Sequence, residues 1–444
     1  MCPSRASLNP NFRNDSITNI TKIIENEEFI CRSKVGLPGV LTRNRKLPFK
    51  DLVVFISRGV KSSLQRDLDS FYKEVNGRDF NIRHVTKGAF TQARSKLNPE
   101  AFVELNDNVN NTFYSGAPYH VWKDMRVLAG DGSRLVLPNH DSVKKEFGEH
   151  RFGPLADSKR SLALVSFLYD VLNLVVIDAQ IAPYASSERD LLYKHLKKIN
   201  PGDLLLLDRG YPSIALLFLL NAMGIEFCIR MKEDWWLKVK EFKESSEKSR
   251  LINFSLPKKD RTLLKKYPEV INKQLCCRLV CVDLGNDEKE ILCTSLTNTE
   301  EFPVEDFGDL YHFRWGEEEG FKLFKARVEI EKFSGKTALA VKQDFYAKVF
   351  IMSLCAVLAF PIEEKVRQES LESNNKHMKK INRTSAIALL TQLFIGLFIR
   401  KRVSKALGTF DLIVGKTTEI IRPGRKCKRI KRPKKLYHMN YKPL

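Results

Sequence analysis

The strongest chemical signal in the chain is the run Tyr311-His312-Phe313-Arg314-Trp315-Gly316-Glu317-Glu318-Glu319-Gly320-Phe321-Lys322-Leu323-Phe324-Lys325. Read as one helix, it places Tyr311, Arg314, Glu318 and Lys325 on a stripe about 60° wide. Leu310, Phe321, Phe324 and Val328 form an apolar face beside that stripe. The plain alternative is a solvated charged face with Arg314 and Glu318 paired one turn apart. That alternative does not explain a tyrosine among basic groups so near a core face. Glu317 falls inside the apolar sector, and Gly316 and Gly320 weaken a helix; the pattern accounts for none of the three.

Two aspartates stand in settings that free their carboxylates. Asp131 follows Val127-Leu128-Ala129 and lies between Gly130 and Gly132, which permit a sharp turn and leave the side chain unobstructed. A simple turn aspartate is the competing reading. Asp208 ends the apolar run Leu204 to Leu207 and precedes Arg209-Gly210-Tyr211. A central strand there would deliver it to the crevice at the strand ends, where α/β domains bind ligands. The competing reading is an Asx turn into a helix opening near Pro212.

Asp131, Asp208 and Glu318 with Arg314, Lys325 and Tyr311 suit phosphodiester chemistry. Two Mg²⁺ ions about 4 Å apart need hard oxygen ligands, which carboxylates supply. One ion activates a water or a 3′-hydroxyl while the other stabilises the leaving oxygen. Arg314 and Lys325 would hold backbone phosphates, and Tyr311 would hydrogen-bond one.

The elements that must position these groups follow from the pattern. Residues 1–46 are polar and read as a loosely ordered arm. Residues 47–120 are helical, with Thr86 capping a short helix and Asn98-Pro99 opening another. Arg94 and Lys96 suggest a DNA-binding unit, and a plain helical bundle fits the periodicity equally well. From Arg126 the texture changes to strands, at 127–137, 162–169, 174–181, 204–207 and 226–231, with helices near 188–198 and 212–223. That order predicts an α/β domain with a mixed sheet. Residues 232–299 read as a β-rich insertion with strands at 274–283 and 289–296. Helices follow near 304–328, 337–359 and 384–406.

Composition narrows the partners. The chain has 444 residues, 43% hydrophobic and 29% charged, which excludes general disorder, a collagen-like fibre and a small disulfide scaffold. Its net charge of +22 points to a polyanion, most simply nucleic acid. Nine cysteines without a C-x-x-C pair read as reduced thiols. The start lacks the apolar core of a signal peptide, and the longest apolar stretch, Val349 to Phe360, is short of a bilayer span. From Arg422 onward ten Lys or Arg occur without an acid, a tail suited to a polyanion.

Tyr311-x2-Arg314-x3-Glu318-x6-Lys325 resembles the signature of bacterial insertion-sequence transposases of the IS-four type. Trp315 and Phe321-Lys322 fit the same family, as do Asp131-Gly132-Ser133, Leu207-Asp208-Arg209-Gly210-Tyr211 and the helical segment 86–97. Arg422-Pro423-Gly424-Arg425 and residues 437–441 are similar to its C-terminal end. The resemblance implies a ribonuclease-H-like mixed α/β sheet at 121–231 and 300–335, with the β-rich insertion between. It also implies a C-terminal helical region at 336–420 and a basic tail at 421–444. Asp131, Asp208 and Glu318 would be the metal ligands of a DDE triad holding two Mg²⁺, with Mn²⁺ as a substitute. The activity implied is binding of terminal inverted repeats in double-stranded DNA, cutting of the ends and joining to target DNA. A homodimer on DNA and a cytoplasmic, nucleoid-associated place in a bacterium, without a membrane, go with it. Excision through a DNA hairpin needs a flipped base on an aromatic ring. Trp235 and Trp236 are candidates for that role, and an ordinary tryptophan pair is the alternative. Two other functions fit the residues: a ribonuclease-H-like nuclease that never joins ends, and a non-catalytic DNA-binding regulator of the element.

Overall fold

The computed structural model describes residues 2–3, 9–36, 46–152, 158–232, 234, 236–283, 289–373 and 377–422. The chain divides into two compact units. The first comprises Met1–Arg5, Pro118–Arg134 and Leu164–Lys322; the second comprises Ala6–Ala117, Leu135–Ala163 and Leu323–Leu444.

The first unit is built on an eight-stranded sheet. Its strands are β1 (Val127–Val136), β2 (Leu162–Asp170), β3 (Val175–Pro183), β4 (Leu204–Leu207), β5 (Glu226–Arg230), β6 (Ser249–Ser255), β7 (Gln274–Asp283) and β8 (Lys289–Thr294). Their spatial order is β6-β7-β8-β5-β4-β1-β2-β3. Strands β1, β4 and β5 run parallel, and β5 meets β8 antiparallel. All four leucines of β4 and all nine residues of β2 are buried. Such continuous apolar runs fit strands covered on both faces. This is the mixed α/β sheet expected from the sequence, and the β-rich segment extends its edge as the antiparallel strands β6, β7 and β8. The helices of this unit are α1 (Glu188–His195), α2 (Ile214–Ala222), α3 (Leu237–Glu244), α4 (Asp306–His312) and α5 (Trp315–Lys322). Ser187 caps α1 by accepting the N–H groups of Arg189 and Asp190, and Ser213 caps α2 through Leu216 N–H.

The single helix expected over 304–328 is not formed. The chain breaks after His312, resumes as α5, and passes into a π-helical turn at Leu323–Arg327. The 100° arithmetic therefore does not hold across Tyr311 to Lys325. The two glycines of α5 have a packing reason. A Cβ on Gly320 would lie 3.2 Å from Tyr169 Cζ, and one on Gly316 would lie 3.5 Å from Val171 Cβ. Phe321 stacks on Phe167 at 4.4 Å with nearly parallel rings. The helix thus lies against the end of β2, and a side chain at Gly320 would force it away.

The second unit is helical. The polar arm expected over residues 1–46 contains helices at Phe12–Glu25 and Glu27–Arg32. Phe12, Ile17, Ile20 and Ile24 are buried, and Phe12 packs edge-on against Phe113 and Phe360. Helices at Phe49–Arg58, Leu64–Asn76, Lys87–Arg94 and Glu100–Gly116 match the helical region expected from the sequence. Thr86 caps the third of these through Ala89 N–H, as expected, and Asn98 accepts Glu100 N–H at the start of the fourth. The central element is the 35-residue helix Ala338–Glu372, longer than the expected 337–359. It runs through Pro361, where one backbone hydrogen bond is lost. Its most apolar eighteen-residue window is long and apolar enough to cross a membrane, but 83% of it is buried inside the protein. The expected helix 384–406 is two, Arg383–Phe394 and Val403–Lys416, separated by a π-helical turn. The basic tail lies outside the described residues from 423 onward.

Candidate active site

The site begins with strand register. Gly130 of β1 pairs with Leu207 of β4 in the parallel ladder. The residue that follows each is an aspartate, so Asp131 and Asp208, the latter just past the end of β4, come to one level where the neighbouring strands run about 4.8 Å apart. Asp131 stands within a continuous ten-residue strand, which removes the turn-aspartate reading. Its flanking glycines permit close approach. A Cβ on Gly130 would lie 3.1 Å from Leu207, and one on Gly132 would lie 2.6 Å from Glu188 Oε1. Asp208 sits where the strand reading placed it and also forms the local turn, accepting Gly210 N–H at 2.8 Å. The two readings of Asp208 are compatible.

The electrostatics are those of crowded acids. Burial pushes the Asp131 carboxyl up to about 6, and Asp208 and Glu188 push the same way. Gly132 N–H, donating to Asp131 at 2.8 Å, and the Arg314 charge oppose this. Glu188 opens α1 and is itself raised by burial and by Asp208. The sequence marked Glu188 only as the start of a helix; its place beside Asp208 and Gly132 came from the fold.

Arg314 stands one residue before α5. It is 6% exposed, and its Nη2 donates to Glu318 Oε1 at 3.2 Å. Burial works against its charge, but Tyr311, Asp131 and Glu318 outweigh burial and raise its pKa. Its Nε is buried without a hydrogen-bond partner. The guanidinium also lies 5.6 Å from the Tyr311 ring centre and 5.3 Å from that of Trp315. Glu318 is about one-third exposed and turned toward Arg314. Its neighbour Glu317 is fully buried, and burial, then Asp131, pushes its carboxyl well above the ordinary range. The only sequence signal for Glu317 was an acid out of place in an apolar sector.

Tyr311 does not stand open to solvent. It is 4% exposed, burial raises its phenol, and the hydroxyl donates to the Leu207 carbonyl at 3.2 Å. It therefore braces the end of β4 one residue before Asp208. Lys325 falls in the π-helical turn, half-buried, within the second unit. Trp236 sits just before α3, half-buried, and packs edge-on against Phe254 at 5.1 Å; Trp235 lies outside the described residues. Arg94 requires a correction as a DNA contact. It is 5% exposed, its Nε donates to Gln343, and Nη2 donates to Asp344 Oδ1 at 2.7 Å and the Ala340 carbonyl at 2.8 Å. Nη1 donates to Ser334. Those partners leave the guanidinium no face for a phosphate.

A second polar chain supports Asp131 from within the sheet. His195 Nδ1 lies 2.7 Å from Asp178, its Nε2 lies 3.0 Å from Ser166 Oγ, and Ser166 donates to the Asp131 carbonyl at 3.0 Å. Burial raises the Asp178 carboxyl, yet the hydrogen bond and charge of His195 hold it below the ordinary range. Ser166 and His195 are at most 1% exposed, so this Ser-His-Asp chain cannot attack a substrate. It fixes the backbone under Asp131.

The donor set suits a hard divalent cation. It is made of carboxylates only, and positive charge would oppose both the burial and the neighbouring acids that lift Asp131. Among the described residues no group of three or more His, Cys, Asp or Glu is already clustered to hold a metal ion. The aspartate pair is formed, and Glu318 is held by Arg314.

Residues 122–354, more than half of the chain, match the family described as transposase DDE domain. Transposase InsG for insertion sequence element IS4, from Escherichia coli (strain K12), is 24% identical over 341 residues, covering 74% of this chain and 73% of that protein. Among solved structures the chain is similar to piggyBac transposase in a synaptic complex with hairpin DNA. That match has 12% identity and a TM-score of 0.44, covering 96% of this chain and 89% of the other. With its family match spanning Asp131, Asp208, Arg314 and Glu318, the chain belongs to the DDE transposase family.

Proposed function

We propose that this transposase binds the terminal inverted repeats of its own element, cuts the ends by Mg²⁺-dependent phosphodiester hydrolysis and joins them to target DNA. The observation that carries this reading is the in-register pair Asp131 and Asp208, with Arg314 and Glu318 beside it. Asp131, Asp208 and Glu318 would hold two ions, Mn²⁺ serving in place of Mg²⁺. When bound, the ions neutralise charge on the transferred phosphoryl group and favour the ionised nucleophile.

The chain's own groups position and neutralise. Tyr311 keeps the end of β4 in place through Leu207, and the Ser166 chain does the same for β1. Arg314 brings a fixed positive charge to the acid pair, and its unpartnered Nε is free to donate to a phosphate oxygen. Lys325 and Trp236 are assigned to DNA, Lys325 to a phosphate and Trp236, with Trp235, to a displaced base. Nothing in this scheme needs a covalent protein–DNA intermediate; positioning and charge carry the rate. Two copies of the chain, one on each end, would complete the assembly.

The test mixes purified protein, a labelled duplex carrying the element end, a target plasmid and Mg²⁺. Nicking at the element boundary and joining to the plasmid, both abolished by Glu318→Gln, is the expected result. Nicking without joining would mark a nuclease. Binding without nicking, unchanged in the variant, would remove the triad.

A further inference from the structure

Among the described residues, the buried carboxylates of the first unit are paired, with one exception. Asp170 accepts the N–H groups of Leu172 and Asn173, Asp178 faces His195, and Asp203 faces Arg126. Glu317 is 0% exposed, and both of its carboxylate oxygens are buried without a partner. The backbone N–H of Asp131 faces it without completing a hydrogen bond, and the charges of Asp131, Asp208 and Arg314 all reach it. Leaving a buried polar group unsatisfied carries the full cost of taking it out of water. An apolar side chain would pack the same side of α5 at no such cost, since Gly316, Gly320 and Phe321 already press that helix against the end of β2.

We propose that Glu317 belongs to the divalent-cation site as a fourth carboxylate, joining Asp131 from the helix beside Glu318. The inference rests on the reading that Asp131 and Asp208 bind divalent cations. Its logic is coordination chemistry. An unpartnered, hard oxygen donor set among acids lacks a cation, and the Arg314 charge that acts on it completes no bond to it. Glu318, about one-third exposed and already bonded to a guanidinium, is the weaker-placed of the two adjacent acids. The third-acid role is then shared, and Glu318→Gln retains part of the metal affinity.

Mn²⁺ binding to the full chain without DNA, followed by electron paramagnetic resonance of the free ion, tests this apart from activity. Wild type should bind saturably, and Asp131→Asn should not. Glu317→Gln should weaken binding by about tenfold or more, the scale seen when a metal site loses a supporting group. The metal-free unfolding midpoint of Glu317→Gln should equal or exceed that of wild type, because an uncharged isostere replaces a buried acid. Should Glu317→Gln fail to fold, Glu317→Asp decides, keeping the acid but shortening its reach; it too must bind Mn²⁺ more weakly. Wild-type affinity in these variants, with binding lost in Asp131→Asn, overturns the proposal and leaves the aspartate site standing. Absence of saturable binding in wild type, or its survival in Asp131→Asn, overturns the metal reading itself and the proposal with it.

Discussion

Arg94 and Arg314 are almost equally buried, at 5% and 6% exposed, and each faces a carboxylate. Their surroundings differ. Arg94 gives its donors to Gln343, Ser334, Asp344 and a backbone carbonyl, and Asp344 in turn accepts Ser334 N–H. Arg314 bonds Glu318 at a longer 3.2 Å, keeps a buried Nε unpartnered, and lies under the influence of Asp131. A satisfied buried cation ties elements together. An incompletely satisfied one, set among acids whose own charges are uncomfortable, is arranged for something that arrives later.

The comparison is broken most directly by removing each guanidinium. Arg94→Met leaves Asp344 buried without its cation, a defect worth about 3–5 kcal/mol. Urea unfolding should show that loss. Arg314→Met should lower DNA cleavage by about 10²–10³, the scale of losing one preorganised charge at a reacting phosphate. Its unfolding free energy should move by less than about 1 kcal/mol, since the Arg314–Glu318 pair is partly exposed. Equal destabilisation by both substitutions would end the distinction between the two arginines.

A pH titration sharpens it from the acid side. The Asp131 carboxyl is raised in the folded protein, to about 6, above its unfolded value. The folded state therefore holds a proton that the unfolded state has released, and stability falls as pH rises from about 4 to about 6. Above that window the loss is complete. Metal-free wild type should show this decline in unfolding midpoint, and Asp131→Asn should show less of it. A divalent cation should flatten the wild-type profile. A profile identical in wild type and Asp131→Asn would mean that neither burial nor the neighbouring acids raise the Asp131 carboxyl.

What was legible in the sequence follows the range of the forces involved. Strand β4 was read at its observed ends because four consecutive leucines between a turn and Asp208 leave a short chain no other role. Asp131 and Asp208 were found as isolated residues; their shared level depends on the Gly130–Leu207 register, a pairing of segments far apart in the chain. The stripe from Tyr311 to Lys325 rested on one continuous helix that the structure does not form. The packing of α5 on β2 through Gly316, Gly320 and Phe321 is a tertiary contact that periodicity cannot report. Arg94 misled because a basic residue on a short helix reads the same whether its partners are phosphates or Asp344. The helix expected over 337–359 runs on through Pro361 for the same kind of reason: a helix buried along most of its length tolerates one lost backbone bond.

Tyr311 offers the smallest expected effect and a clear separation of two roles. The sequence suggested a phosphate contact, whereas the structure directs the hydroxyl to Leu207. Tyr311→Phe removes one hydrogen bond to a buried carbonyl, worth about 1 kcal/mol of stability. It keeps the ring beside Arg314, so the cation–π contact survives. If the hydroxyl only braces β4, cleavage should fall by about tenfold or less, in step with a small shift of Asp208, and saturating Mn²⁺ should restore part of it. A hydroxyl that bound phosphate would give a different pattern: unchanged unfolding, a rise in the DNA concentration needed for half-maximal cleavage, and no recovery with metal. The first pattern places Tyr311 with Ser166 among the groups that hold the aspartates in register. The second would return it to Arg314's company as a contact with DNA.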